Sequence, residues 1–286
     1  MVATRKRSRP TRDSKRSGAP SSARGPIAVT IAGSDSSGGA GIAADLKTFS
    51  ALGVYGAAII TAVTAQNSKG VFAIHDVPAG VIAEQIDAVF ADLDVRAIKI
   101  GMLPNAAAID VVAKALDRHK ARNVVLDPVM AASSGERLLR TDVDRIRSLL
   151  PRVRLVTPNV PEAAALLDVP PARNDDEMRA QAEKLLAQGA AAVLIKGGHR
   201  SGSQSVDFLV DSGHCLRLAA PRLATKNTHG TGCTLSSAIA AGLAKGLALE
   251  AAARQAKTYL SAAVAAADRL VVGSGHGPLH HFHAWW

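Results

Sequence analysis

Cysteine is scarce in this chain of 286 residues, and so are long apolar runs. The two cysteines, Cys215 and Cys233, form neither a disulfide framework nor a paired-cysteine metal knuckle, which suits a reducing, cytoplasmic setting. No apolar run approaches the roughly 18 residues that span a bilayer, so no membrane partner is expected. The pattern GxxxxGK[ST] is missing, which excludes a P-loop enzyme. What remains is ordinary for a soluble globular protein, with 48% hydrophobic and 20% charged residues.

The net charge of +10 is unevenly spread. Residues 1–25 hold eight Lys/Arg against the single acid Asp13, a net +7, which leaves +3 for the other 261. This stretch of Ser, Pro and Gly has almost nothing to bury and reads as a disordered basic tail. Its charge could touch phosphates without specificity, and a nucleic-acid-binding role is the alternative it raises; no specific nucleic-acid partner is expected.

From Pro26 onward, apolar runs of strand length alternate with amphipathic stretches. IAVTIAG, YGAAIITAVT, AIKIGM, NVVLDPVM, VRLVTPN and AAVLIKGG read as strands. GIAADLKTFSALG, VIAEQIDAVFADL, AAAIDVVAKALDRHK, DVDRIRSLL and DDEMRAQAEKLLAQG read as helices between them. SVDFLVD and HCLRLAA are adjacent and pair antiparallel, and two Ala-rich helices follow. The pattern predicts an α/β fold, a mostly parallel sheet covered on both faces, with functional groups at the carboxyl ends of the strands.

Polar residues do collect at those ends. GSDSSGGAGIAAD (33–45) follows the first strand, and its glycines free backbone amides to face an anion. Gly39, Gly41 and Ala44 also fit the dinucleotide pattern GxGxxA, but that fingerprint needs an acid at the end of the second strand, and IITAVTAQN has none. Gln66 and Asn67 offer amides that can read a heterocycle edge. Asp127 follows the strand VVL, Asn159 and Glu162 follow VRLVTP, and Lys196 ends AAVLIK. Singly each could be a cap, a turn former or a satisfied buried charge. Together, a lysine, two carboxylates and two glycine-rich loops are what a nucleoside triphosphate with magnesium requires.

NTHGTGCTLSS (227–237) carries the sharpest chemistry. Gly230 and Gly232 allow a tight fold, Thr231 and Gly232 can aim N–H groups at one point, and the helix that follows adds its positive end. That field is expected to lower the pKa of Cys233 toward thiolate, a usable base for an attacking hydroxyl; a small buried apolar residue is the competing reading. For His229, contact with a ligand and the capping of a turn both stay open. His276, His280, His281 and His283 lack a nearby carboxylate or cysteine and make a poor metal site, so Phe282, Trp285 and Trp286 are expected to pack against the body or a partner.

These loops resemble the ribokinase-like superfamily, and within it the hydroxymethylpyrimidine/phosphomethylpyrimidine kinases of thiamine synthesis. AGSDSSGGAGIAADLKTF, TAVTAQNSKGV, IKIGML, VVLDPVM, TPNVPEA, VLIKGGH, NTHGTGCTLSSAIAA and GSGHGPLHHFH are similar to that family's signatures, in the same order, from Ile27 to the C-terminus. Ser36 stands where the family usually has proline, and Ala43 where it often has glutamine. The resemblance implies a single ribokinase-like domain over 26–286, ATP as phosphoryl donor, Mg2+ and a homodimer. The implied reaction phosphorylates 4-amino-5-hydroxymethyl-2-methylpyrimidine to its monophosphate and then its diphosphate; a pyridoxal kinase is the nearest alternative. It further implies Cys233 as base within Gly230, Thr231 and Gly232. Gln66, Asp45, Gly33 and Met102 would lie around the pyrimidine, Lys196, Asn159 and Thr157 at ATP, and Asp127 and Glu162 at magnesium.

Overall fold

Six residues, Ile27–Ala32 (β1), start the sheet, all but the first fully buried, in a computed structural model that describes residues 25–132, 135–136, 138–141, 143–198 and 202–286. Apart from Gly25, the basic tail lies outside the described residues. The chain continues through Gly41–Ala51 (α1), Tyr55–Ile60 (β2), Ala62–Asn67 (β3), Gly70–Asp76 (β4), Ala79–Asp92 (α2), Ala97–Ile100 (β5) and Ala106–Arg118 (α3). Next come Val124–Leu126 (β6), Val143–Arg147 (α4), Leu155–Val156 (β7), Val160–Leu167 (α5), Asp175–Ala187 (α6) and Ala192–Lys196 (β8). Gln204–Asp211 (β9), His214–Pro221 (β10), Thr231–Ala244 (α7) and Leu249–Ala265 (α8) complete it.

Eight strands form one sheet in the order β10-β9-β8-β7-β6-β5-β1-β2. The pairs from β2 to β8 are parallel, while β9 and β10 turn back antiparallel, as the adjacent runs SVDFLVD and HCLRLAA predict. Alternation within each strand then sends side chains to two cores. Val29, Ile31, Ile98, Ile100 and Leu126 pack with Ile82 of α2, Ile109 of α3 and Leu185 of α6. Ala28, Val125 and Leu194 face Phe49 of α1, Ile239 of α7 and Ala256 of α8. The predicted layered α/β fold is thus present, covered on both faces.

Two local readings are corrected. YGAAIITAVT is not one strand: β2 ends at Ile60, and β3 leaves to pair with β4 in a separate antiparallel hairpin. Gln85 of α2 explains the break. Its side chain accepts from the Ile60 N–H at 2.9 Å and donates to the Ile60 carbonyl at 3.1 Å, closing the sheet edge, while Thr61 Oγ1 donates to Met102 O at 2.7 Å. The second correction is α5, which begins inside the motif TPNVPEA. Asn159 caps it, its side chain accepting from the Glu162 N–H while Glu162 Oε2 accepts from the Asn159 N–H, both at 2.8 Å.

Candidate active site

The carboxyl ends of β1, β5, β6 and β8 open into one cavity of ≈ 750 Å³. Its wall includes Gly33, Gln66, Met102, Asp127, Lys196 and Cys233, brought from six different stretches of sequence. At its centre, Lys196 Nζ lies 2.8 Å from Asp127 Oδ1 and 4.0 Å from Glu162 Oε2. Burial pushes the Lys196 ammonium down, but the two carboxylates outweigh it and hold the pKa above its ordinary value. Glu162 is raised as well, but by burial, which lifts it to about 7 against the pull of Lys196.

Magnesium accepts one or two carboxylates when phosphate oxygens and water supply the rest of its octahedron. Asp127 and Glu162, with a lysine beside them for a phosphate, fit that donor set. Among the described residues no group of three or more His, Cys, Asp or Glu could hold a metal by itself, which includes the C-terminal histidines.

Above the lysine sits the start of α7. Gly230 has φ +83°, and a Cβ there would lie 2.0 Å from Gly39 O, so only glycine lets the two glycine-rich loops touch. The first helical hydrogen bond runs from the Thr234 N–H to Gly230 O. The Thr231 N–H already donates to Thr228 O at 3.2 Å. The amides that stay open for an anion are therefore those of Gly232 and Cys233, one residue further along than the sequence suggested.

The expected acidification of Cys233 is overturned. Burial raises the thiol to about 11, and the nearby Lys99 ammonium and a hydrogen bond from the Gly41 N–H offset only part of this. Loss of water around the sulfur, with Asp45 and Asp127 facing it, holds the proton on. At neutral pH the group is a thiol.

Gln66, Gly33 and Met102 gather as expected: a Cβ on Gly33 would come within 2.9 Å of Met102 Sδ. Asp45 and Thr157 are 0% exposed and do not line the cavity. Asp45 accepts from Thr30 Oγ1 (2.6 Å), Lys99 Nζ (2.8 Å) and Ser237 Oγ (2.6 Å), which takes three of its roughly four lone-pair directions. Thr157 Oγ1 lies 3.3 Å from both Leu126 O and Asp127 Oδ1, and so buttresses Asp127 from behind. Asn159 reaches the wall, but its side chain serves mainly as the cap of α5.

Two cations on this wall escaped the sequence reading. Lys99, fully buried in AIKI, pairs with Asp45, and the interruption of an apolar strand by a charge is the signal that could have marked it. Lys257 of α8 donates to Asp207 Oδ2 at 2.7 Å, and Asp207 Oδ1 accepts from the Gly197 N–H. Lys257 and Asp207 line the same cavity as Pro221, Leu223, Leu260 and Val264, which supply apolar surface. In the C-terminal segment Phe282 is half-buried. His280 and His281 are buried, with His281 Nε2 3.0 Å from Thr234 Oγ1, next to Cys233; Trp285 and Trp286 stay largely exposed.

A family model described as phosphomethylpyrimidine kinase matches residues 35–280. The chain is 56% identical over 262 residues to the hydroxymethylpyrimidine/phosphomethylpyrimidine kinase of Rhizobium meliloti (strain 1021), covering 91% of this chain and 98% of that one. Among solved structures it is similar to a phosphomethylpyrimidine kinase from Clostridium difficile 630, at TM-score 0.73 and 42% identity over 82% of this chain and 97% of that one. It is also similar to the pyridoxal kinase from Staphylococcus aureus in complex with AMP-PCP and pyridoxal, at TM-score 0.82 and 29% identity over 91% and 94% of the two chains.

Proposed function

Because the chain belongs to the phosphomethylpyrimidine kinase family, we propose that it makes two successive transfers from ATP for thiamine biosynthesis. The first phosphorylates the hydroxymethyl group of 4-amino-5-hydroxymethyl-2-methylpyrimidine, and the second extends the monophosphate to the diphosphate. One observation carries this reading beyond kinship. The Lys196–Asp127–Glu162 cluster and the open amides of Gly232 and Cys233 share a cavity with Gln66, Gly33 and Met102, which form a slot for a flat heterocycle.

Each residue then has a task. Gln66 meets the polar edge of the ring, while Met102 packs on it over Gly33; Asp45 stays behind the wall as the partner of Lys99. Lys196 neutralises phosphate charge, and Asp127 and Glu162 hold magnesium, which when bound draws charge from the phosphate oxygens. The Gly232 and Cys233 amides face the transferred group and stabilise its equatorial oxygens without reorganising. The small thiolate fraction of Cys233, which grows as pH climbs toward about 11, takes the hydroxyl proton and becomes the thiol. Its high pKa is workable because phosphoryl transfer has a loose transition state that demands little early deprotonation. Pro221, Leu223 and Val264 offer the nucleotide base an apolar seat, and Asn159 stays near the phosphates as the cap that holds Glu162. The exposed Val63 and Phe72 of the β3–β4 hairpin support a homodimer through that side. The cytoplasm, which supplies ATP, is the proposed place of work.

The test is incubation of the protein with Mg-ATP and either the hydroxymethylpyrimidine or pyridoxal, followed by mass analysis over time. Pyrimidine monophosphate followed by diphosphate is expected. Pyridoxal phosphate alone would favour the second reading, a pyridoxal kinase, which the likeness to the Staphylococcus aureus structure keeps in view.

A further inference from the structure

His229 has no part in the transfer chemistry above, yet it is 7% exposed and stands on the cavity wall. Its Nε2 lies 2.8 Å from Asp35 Oδ2 and 3.4 Å from the side-chain amide of Gln66. The Gly39 backbone lies against the imidazole, since a Cβ there would come within 2.4 Å of Cδ2. Asp35 is itself held by the Ser37 N–H (2.8 Å), Ser37 Oγ (2.7 Å), the Gly39 N–H (3.1 Å) and the Ala40 N–H (2.9 Å). Burial pushes the Asp35 carboxyl up, but the hydrogen bonds from His229 and Ser37 outweigh it and bring its pKa to about 2.

A carboxylate only accepts hydrogen bonds, so the Nε2 facing Asp35 carries a hydrogen whether the ring is neutral or charged. That one hydrogen is given to Asp35 at 2.8 Å and can be shared with a second acceptor at 3.4 Å, but it cannot pair with an amide NH2. The two ends of the Gln66 amide are alike in shape, and a half-turn exchanges them in place. On its other side the amide meets Thr64 Oγ1 at 3.2 Å, whose single hydrogen is given to Ser34 O at 2.8 Å, leaving the hydroxyl free only to accept. One orientation pairs every hydrogen: the Gln66 oxygen toward His229 and its NH2 toward Thr64.

We propose that His229, held by Asp35, locks the Gln66 amide in this orientation, so that the pocket reads an exocyclic amino donor beside a ring-nitrogen acceptor and rejects the reversed oxo/N–H edge. His229 is thus a positioning residue for specificity, and the proposal rests on the pyrimidine kinase reading. The ring cannot evade the lock by turning over, because its hydroxymethyl group must point at the Gly232 and Cys233 amides. Both hydrogen-bonding valences that Gln66 has left are then of fixed type and fixed order.

The experiment compares kcat/KM for the 4-amino substrate with that for its 4-oxo analogue, in the wild-type protein and in His229→Leu, His229→Gln and Thr64→Val. Wild type should prefer the amino compound by about 10²–10⁴, the range for sites built around buried hydrogen bonds. In His229→Leu the preference should shrink at least about tenfold, mainly through a higher KM for the amino substrate, because the amide is then free to turn. His229→Gln restores a donor and should recover most of the preference; Thr64→Val should shrink it as His229→Leu does. An unchanged preference in His229→Leu, with both substrates declining together, overturns the proposal. Should His229→Leu lack a folding transition, an unchanged preference in Thr64→Val overturns it instead. Failure of the wild-type protein to phosphorylate either pyrimidine would overturn the functional reading itself, and the proposal with it.

Discussion

Lys99→Met should destabilise the protein severely, although Lys99 is a single residue of a four-residue strand, at the cavity wall. Its ammonium is 2.8 Å from Asp45, and both side chains are 0% exposed. Removing one member of such a pair leaves a charge in a medium that cannot solvate it, at a cost of about 3–5 kcal/mol. For a domain of this size each kcal/mol lowers Tm by about 2–4 °C, so a fall of about 6–20 °C is expected. The sign of the pH dependence is a second check. Burial pushes the Lys99 pKa down, but Asp45, Cys233 and Asp127 more than compensate and hold it above the ordinary lysine value. A raised lysine contributes stability below its unfolded pKa of about 10.4 and loses it only as pH climbs past the folded value, so wild type gains or loses nothing from this lysine between pH 5 and 8. In Lys99→Met, however, Asp45 is a buried carboxyl without its cation. The deficit is largest where that carboxyl is charged, toward higher pH. Urea unfolding followed by circular dichroism at pH 5 and pH 8 should show the larger deficit at pH 8. Adding Asp45→Asn removes the stranded charge and should recover about half of the loss, since an amide oxygen can still accept from Thr30 or Ser237. A deficit below about 1 kcal/mol at both pH values would refute the reasoning.

Three further outcomes are expected. Cys233→Ala should lower kcat by about 10²–10⁴, the usual range for losing an acid–base group, and should flatten a rate that in wild type climbs from pH 6 to 9 because the thiol is raised to about 11; near-normal turnover would leave the residue a purely structural role. Lys196→Ala leaves Asp127 and Glu162 without their shared cation, so the KM for ATP should rise and kcat fall, each by about tenfold or more; steady-state kinetics with both constants unchanged would remove Lys196 from the phosphate site. Because burial lifts Glu162 to about 7, the proton competes with magnesium below that pH. The concentration of Mg2+ giving half activation should rise about tenfold per unit of acidification there and level off above, a limb that Glu162→Gln should lack; a flat profile from pH 5.5 to 8.5 counts against the assignment.

Much of the site is legible along the chain for a physical reason. In a parallel sheet each strand ends at the same edge, so a polar residue just after an apolar run is committed to that edge before any packing is known. Asp127, Lys196 and the GTG loop obey this rule, and the order of the layers follows from the same alternation. The tight turn expected at Gly230 is present, but its left-handed φ answers the approach of Gly39 O, which only packing decides. Which groups share a face, and what each then feels, is another matter. Only the tertiary structure sends Thr30 and Lys99 to the α7 side, where Asp45 and Ser237 complete a buried network. It turns Asp45 and Thr157 away from the cavity wall, spends the Thr231 amide on a local turn, and brings His229 to Asp35 across 194 residues. The pKa of Cys233 shows the division most plainly. Position in sequence determines the helix terminus that favours a thiolate, but burial depends on everything packed around the sulfur, and burial is what raises the thiol.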